Sequence, residues 1–480
     1  MAEATVNSAI AAYDDMAGHW ALPVALKGGT LDMQAAKTTY LPQFGSEGDT
    51  QYDDRRESSV LYNAFGRTIA VLSGEPLRKP ITLTDPSTKD EEIASDVDLA
   101  GRDINAYAGQ LLDDLLTFGK AHFFVAYPNT RDIEARNGRA LTMRDEIDLQ
   151  VRPYFVRADS QNVIGWRGRR QDGVEVLDRV RVREVDVEES GNWGEKQVKY
   201  VRVYYPDHIE RYRQPEKAGS QWPLVESVEN TLGYVPLVTV YAKRLALMTA
   251  YSPLEDLAWV NLQHWQSSSD QHNILHMART YLLALYGWEP DDASTIDIGV
   301  TKALVNRNTD AHAEVVEHSG AAIEAGRQQL IDLQEQMRSL GTDMLTPRPD
   351  VSVTATQVQI DKGEMISELQ LITHNLEAGF EQGFAIAADW QARKLSEGFA
   401  VNINQEFTPA ALSTSPLKDV QSLYGLGKIT GRRLLIEHKR YGVLSDDVDV
   451  DQELADAAEE SDLEGAFEPD LEEQEDEEGV

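Results

Sequence analysis

"SPLEDLAWVNLQHWQSSSDQHNILHMA", residues 252–278, decides how this chain is read. Pro253 suits the first turn of a helix, where a missing N–H costs nothing, and the pattern predicts one helix over 253–281. Twenty-nine residues at 1.5 Å each would span about 43 Å. Leu254, Leu257, Ala258, Leu262 and Trp265 form an apolar stripe, which Ile274, Leu275, Met277 and Ala278 resume. Between them "QSSSDQHN" is polar for more than two turns. A helix in a monomer's core would not spend its middle that way, so the expectation is a helix shared between subunits or lining water. His272 and His276 frame "HNILH", one residue from the zinc-protease pattern H-E-x-x-H. Asn273 stands where the glutamate should be, and asparagine cannot act as a general base. His264 lies about 80° round the helix from His272, which leaves a structural metal as the alternative to polar residues facing water or a neighbouring helix.

Upstream, residues 1–160 mix helical and strand signals. Val60, Leu61, Phe65, Ile69 and Leu72 recur at helical spacing before the stops Gly74 and Pro76. "DLAGRDINAYAGQLLDDLLTFG" repeats the pattern to Gly119, and "AHFFVAYP" reads as a short buried strand closed by Pro128. From about 160 to 250 the period becomes two, with turn signals at Asp172-Gly173 and Ser190-Gly191-Asn192. Val180, Val182, Val185 and Val187 alternate with charges, and the extra residue between the pairs predicts a bulge. Arg167, Arg169, Arg170, Arg179, Arg181 and Arg183 make this the most basic stretch. They read either as a solvated strand face or as a rim touching DNA or a partner.

Downstream, Leu330, Leu333, Met337, Leu340 and Met344 predict a helix over 323–345 with a heptad-like seam. Met365, Leu369, Ile372, Leu376, Phe380, Phe384 and Ala387 predict another over 357–395. "GTDMLTPRPDVSVTAT" between them, with two prolines and a β-branched run, must be a loop. A last helical pair, within 396–445, precedes the tail.

Other chemistry reads as absent. "GLGKITG" (425–431) lacks a P-loop's first glycine, since Ser422 stands there, and Ile429 replaces its hydroxyl residue. A helix C-cap at Gly425 or Gly427 and a new start at Thr430 fit better. No G-x-S-x-G elbow occurs, and the paired acids Asp113-Asp114 read as solvated surface. With no cysteine there is no disulfide or thiolate site, which fits a reducing cytoplasm. The N-terminus lacks the basic and apolar regions of a secretory signal. No run of about 18 uncharged apolar residues suggests a membrane span.

Net charge is −36, and residues 446–480 hold 18 acids and no base, leaving −18 for the rest. Such a tail is expected to be solvated and self-repelling. The remainder is too acidic to grip nucleic acid by general electrostatics, so any DNA contact rests on a few side chains.

Several blocks in order resemble a tailed-bacteriophage portal protein, of the siphophage-type subfamily long known only as a domain of unknown function. They are "LKGGTLDMQAAKTTYLPQFGSEGDTQYDDRR", "RTIAVLSGEPLRKP", "LLTFGKAHFFVAYP", "RPYFVRADSQNVIGWR", "LGYVPLVTVY", the opening helix, "LIDLQEQMRSLGTDML", "SVTATQ" and "GKITGRRLLIEHKRYGVLSDDVDVDQE". Together they cover roughly residues 15–460. The resemblance implies an α+β portal fold with wing, stem, clip and crown regions, long helices around a central channel, and assembly into a ring, usually of twelve subunits.

Mapped on this chain, it implies an N-terminal wing part over 1–160 and a clip-like β region over 161–250. A stem helix would occupy 251–282, a second wing part 283–322, and long helices 323–395. The tunnel loop, about 342–356, would present Thr342, Asp343, Thr346, Arg348, Asp350, Ser352, Thr354 and Thr356 to DNA, with Arg348 either approaching phosphate or pairing with Asp343 or Asp350. Crown-like helices would follow over 396–445, then the acidic tail at 446–480. His264, Trp265, Asp270, His272 and His276 would make stem contacts between subunits.

The implied function is a non-enzymatic channel at one capsid vertex for packaging, retention and ejection of double-stranded DNA. It implies no cofactor, metal or membrane. Implied partners are copies of itself, terminase large subunit, head–tail connector or adaptor, major capsid protein and scaffold, in a virion assembled in the bacterial cytoplasm. The competing readings are another head–tail adaptor or assembly protein, and a metal-dependent hydrolase built on the histidine helix.

Overall fold

The computed structural model describes residues 5–191, 193–217, 220–279, 282–286, 312–316, 320–341, 355–405, 407, 414–440, 444 and 448–455. The chain divides into two units, 1–405 and 406–480. In order, the first unit carries helices α1 (Ala11–Gly28), α2 (Thr30–Ala35), α3 (Asp49–Ser58) and α4 (Ala64–Gly74), then strand β1 (Thr82–Thr84). Helices α5 (Thr88–Ser95) and α6 (Ile104–Phe118), strand β2 (Lys120–Ala126), and helices α7 (Thr130–Asn137) and α8 (Met143–Asp148) follow. Strands β3 (Tyr154–Ala158), β4 (Val163–Gln171), β5 (Val174–Ser190), β6 (Gly194–Tyr204), β7 (His208–Arg213), β8 (Leu224–Glu229) and β9 (Leu237–Tyr241) come next. Helix α9 (Glu255–Arg279) leads to hairpin β10 (Leu282–Tyr286) and β11 (His312–Val316), then α10 (Gly320–Gly341), α11 (Ala355–Trp390) and β12 (Ala400–Asn402). The second unit contains α12 (Thr414–Gly425) and α13 (Gly431–Arg440). The architecture is mixed helix and sheet.

Its centre grows from the apolar run after α6. Asp103 caps that helix by accepting the Ala106 N–H (2.8 Å), and Gly119 ends it in the left-handed conformation at φ +77°. A side chain at 119 would strike the Tyr251 carbonyl, so glycine is required twice over. The chain then enters β2, fully buried from Lys120 to Val125. β2 is the middle of an antiparallel sheet in the order β3-β2-β9. α11 lies on this sheet through Leu376, Phe380, Phe384 and Ala387, all fully buried. Gly379 and Gly383 let it approach Val240 and the Phe123 and Phe155 rings. Phe123, Phe155, Phe380, Phe384, Phe399 and Tyr107 form one aromatic core, with ring centroids 5.0 to 6.2 Å apart. Such offset and edge contacts add to area burial.

Three details depart from the sequence reading. α4 begins at Ala64, capped by the Asn63 side chain, so Val60 precedes it and is exposed. Leu333 and Met337 of α10 are buried while Leu340 is exposed, and Met344 lies outside the described residues. Residues 400–402, grouped by sequence with the crown-like helices, instead pair with β1 inside the first unit. In the second unit the Gly427 and Lys428 N–H groups bond to Tyr424 and Leu423 carbonyls, a Schellman closure with Gly427 at φ +66°. Thr430 then starts α13 by accepting the Arg433 N–H (3.3 Å). Among the described residues no helix is long and apolar enough to cross a membrane.

Candidate functional site

The arginine-rich stretch folds into an antiparallel sheet in the order β4-β5-β6-β7-β8. Asp172 and Gly173 both take positive φ, the turn their sequence demands. β5 pairs with β6 without interruption from Val180↔Tyr204 to Ser190↔Gly194. No bulge therefore separates Val182 from Val185; the irregularities lie between β4 and β5, at 163/165 and 167/168. Strict alternation puts Val180 and Val182 in the core and Val185 and Val187 on the opposite, exposed face. On the face of Val180 and Val182 the strand continues as Glu184, Asp186 and Glu188. Glu184 takes Arg202 (2.6 Å) and Arg211 (3.2 Å), and Glu188 takes Arg213 (2.7 Å). Arg211 also pairs with Asp186 and stacks over the Tyr200 ring at 4.0 Å. This ladder cancels its own charge.

The six singled-out arginines divide into groups. Arg181 donates to the Val6 carbonyl (3.0 Å), and Arg183 to the Asn7 side chain (2.8 Å) and carbonyl (3.1 Å). Both therefore pin the N-terminal segment. Burial, with the neighbouring Arg179 and Arg183 charges, draws the Arg181 pKa down. Arg167 and Arg169 flank Asp178 at 4.0 and 3.6 Å and are exposed. Arg179 sits opposite Arg167, half-buried, and Arg170 is exposed beside the turn. The outward basic charge is thus at Arg167, Arg169 and Arg170.

Much of the polar middle of α9 is bonded within this chain, although His264 Nδ1 and Trp265 Nε1 are buried without a hydrogen-bond partner among the described residues. Asn261, fully buried, accepts the Phe65 N–H (2.9 Å) and donates to the Tyr62 carbonyl (2.8 Å). Gln266 donates to the Tyr40 carbonyl (3.0 Å) and Gln271 to the Ile323 carbonyl (2.9 Å). Ser269 is buried against Ser59 (2.8 Å) and Arg55 (3.3 Å). His264, 3% exposed, receives the Gln334 amide at 3.2 Å and lies 5.3 Å from the Tyr62 ring. Desolvation lowers its pKa and keeps it neutral. Trp265 is fully buried. Both side chains, His264 and Trp265, are buried within this chain. Asp270 is half-exposed, 3.7 Å from Arg55, and His272 and His276 are exposed. Among the described residues no three histidine or carboxylate side chains are placed to hold a metal ion.

Of the loop residues, Thr342, Asp343, Thr346, Arg348, Asp350, Ser352 and Thr354 lie outside the described residues, and Thr356 falls in the first turn of α11. Asp114 is not solvated surface: it is fully buried and held by two Arg157 hydrogen bonds (2.6 and 2.5 Å), while Asp113 pairs with Lys27.

Two buried cations escape the sequence reading. Arg55, 5% exposed, bonds Glu47 through two nitrogens (2.8 Å each), the Pro42 carbonyl (2.8 Å) and Ser269, and lies over Phe44 at 4.3 Å. Glu47 is held below the usual carboxylate range by that guanidinium. Lys120 is fully buried, donates to the Met248 carbonyl (2.7 Å), and sits between the Trp20 and Trp166 rings at 5.2 and 4.9 Å. Burial pushes its pKa down to about 7. A lone lysine at the mouth of "KAHFFVA" is the available signal. Beside β2 a cavity of about 350 Å³ is lined by Phe124, Tyr127, Tyr154, Tyr204 and Trp390, with Arg202 and Arg211 at its polar side.

None of the curated proteins matches the chain. Among solved structures, "Neck of empty GTA particle computed with C6 symmetry" is similar at 9% identity and TM-score 0.42, covering 79% of this chain and 90% of that one. "Virion of native gene transfer agent (GTA) particle" follows at 10% identity and TM-score 0.41, covering 79% and 89%. "Neck of native GTA particle computed with C12 symmetry" gives 10% and 0.39, covering 78% and 88%. Residues 253–391, from the start of α9 to the end of α11, match the family described as "Domain of unknown function (DUF4055)".

Proposed function

We propose that this chain is a portal-type subunit: a structural protein that assembles into a closed ring and conducts double-stranded DNA. The observation that carries the proposal is the ordered set of sequence blocks over residues 15–460 that resemble such proteins. The succession α9, β10–β11, α10, α11 supports it, because it has the element order expected of a stem helix followed by two long helices. On this reading residues 342–354 supply the tunnel loop, with Arg348 as its DNA contact, and β4–β8 form the clip. Arg167, Arg169 and Arg170 are its outward charges toward DNA or an adaptor. Terminase, adaptor, capsid protein and scaffold are the partners of the ring, at the capsid vertex of a virion.

With His264 and Trp265 buried, the contact between copies is proposed at the residues α9 exposes. The exposed residues of α9 include Asp256, Trp259 and Gln263 at one-face spacing, with Trp259 57% exposed, and then His272 and His276. These side chains are proposed to meet the neighbouring copy. The strong net negative charge suits a conduit, since a wall that gripped phosphates would stall the polymer, and screening over about 8 Å still lets a narrow bore feel it.

Deleting residues 346–352 tests the loop assignment. Ring-sized particles should persist by light scattering while packaging or retention of DNA falls. Loss of the particles themselves would show that the segment builds the ring instead.

A further inference from the structure

The second unit carries a basic surface that the proposed channel does not use. α13, "GRRLLIEHKR", is tied to α12 through His438: Gln421 donates to its Nε2 (3.2 Å), and its Nδ1 donates to the Leu434 carbonyl (2.7 Å). On 3.6-residue geometry Arg432, Arg433 and Lys439 fall within an arc of about 120°. Within that arc Arg433 pairs with Glu437 of the same helix (2.6 Å), while in a chain of charge −36 the other two cations are covered by the chain's own acidic segment. Asp451 takes the Arg432 guanidinium in two parallel bonds (2.8 and 3.2 Å), and the Val448 carbonyl takes Lys439 Nζ (2.8 Å). Asp449 preorders this segment by accepting the Asp451 and Gln452 N–H groups (2.9 and 3.2 Å).

A fork-shaped contact between guanidinium and carboxylate has the geometry with which arginine takes a phosphate. The pair is also open to water, with Arg432 60% and Asp451 69% exposed. Exposed ion pairs contribute little and exchange readily. We infer that the Arg432–Lys439 face of α13 is a site for the phosphodiesters of a nucleic acid, and that the 448–451 segment masks it by standing where the phosphates would lie. The cover lowers affinity without abolishing it, and its release exposes two cations seven residues apart on one face. Nothing in this depends on ring formation.

Anisotropy of a fluorescein-labelled DNA duplex, titrated with the full chain at about 50 mM salt, tests the inference. Asp451→Asn should bind roughly threefold tighter than the unmodified chain, because a repelling charge is removed and Arg432 is freed. Adding Arg432→Gln to that variant should abolish the gain, as should adding Lys439→Gln, with thermal melts confirming that every variant folds. Inorganic phosphate should not compete at concentrations matching the duplex phosphates. Equal binding by Asp451→Asn and the unmodified chain, or no binding by either, overturns the inference. Competition by inorganic phosphate at matched concentration overturns the assignment to nucleic acid.

Discussion

Lys120 shows most sharply what a single residue costs this fold. Its ammonium has one carbonyl and two indole faces for company, and no carboxylate. The unfolded chain keeps this amine protonated up to about pH 10.4, whereas the folded chain releases the proton near pH 7. Between those values the unfolded state binds the extra proton, so stability rises with pH across this window. Below about pH 7 the folded state carries the full burden, on the order of several kcal/mol before the indoles offset part of it. Lys120→Met should therefore stabilise the protein by about 1–3 kcal/mol at pH 7, since a buried ion gives way to an apolar chain of similar length. It should also flatten the rise in stability between pH 7 and 10. Urea denaturation at the two ends of that range reads both effects, and a less stable variant at pH 7 would mean the cage holds the cation better than burial penalises it.

Glycines within helices separate packing from propensity at the scale of elements. A methyl group at Gly383 would sit 2.8 Å from Phe123 and 3.1 Å from Phe155, pressing α11 off its sheet. Gly383→Ala should cost about 1–3 kcal/mol in overpacking, of which the better helix propensity returns only about 1. Gly18 of α1 is exposed with no atom within 4 Å of the new methyl. Gly18→Ala should stabilise by about 0.5–1 kcal/mol. Thermal melts of the pair should shift in opposite directions, and a shared direction would contradict the packing of α11.

The legibility of these elements follows the range of their causes. α6, Gly119 and β2 are readable because helical period, cap and buried run are local signals. The hairpin of β4 and β5 is readable from Asp172-Gly173. Its bulges fall elsewhere than the sequence suggests, because Val185 and Val187 mark a change of buried face rather than a break in pairing. The polar middle of α9 misleads for a longer-range reason. Its partners at Tyr40, Arg55, Ser59 and Tyr62, and on α10, are distant in sequence, so the helix looks unsatisfied when read alone. The buried Asp114 is hidden likewise, since Arg157 lies 43 positions away.

At the scale of the whole molecule the proposed behaviour is assembly into a ring. The first unit joins an aromatic α/β core, an ion-paired sheet and a helix many of whose polar residues are bonded internally, with Trp259 and His272 exposed and proposed to meet a neighbour. On the proposed reading the acidic tail's charge opposes both DNA and other copies, so assembly should be favoured at higher salt, where such repulsion is screened. The most direct measurement is single-particle imaging of the purified 480-residue chain. Closed rings are expected, with a central hole wide enough for duplex DNA, α9 near the bore and Trp259 at the contact between subunits. A uniform population of monomers that never closes into rings, across salt and protein concentration, would contradict it.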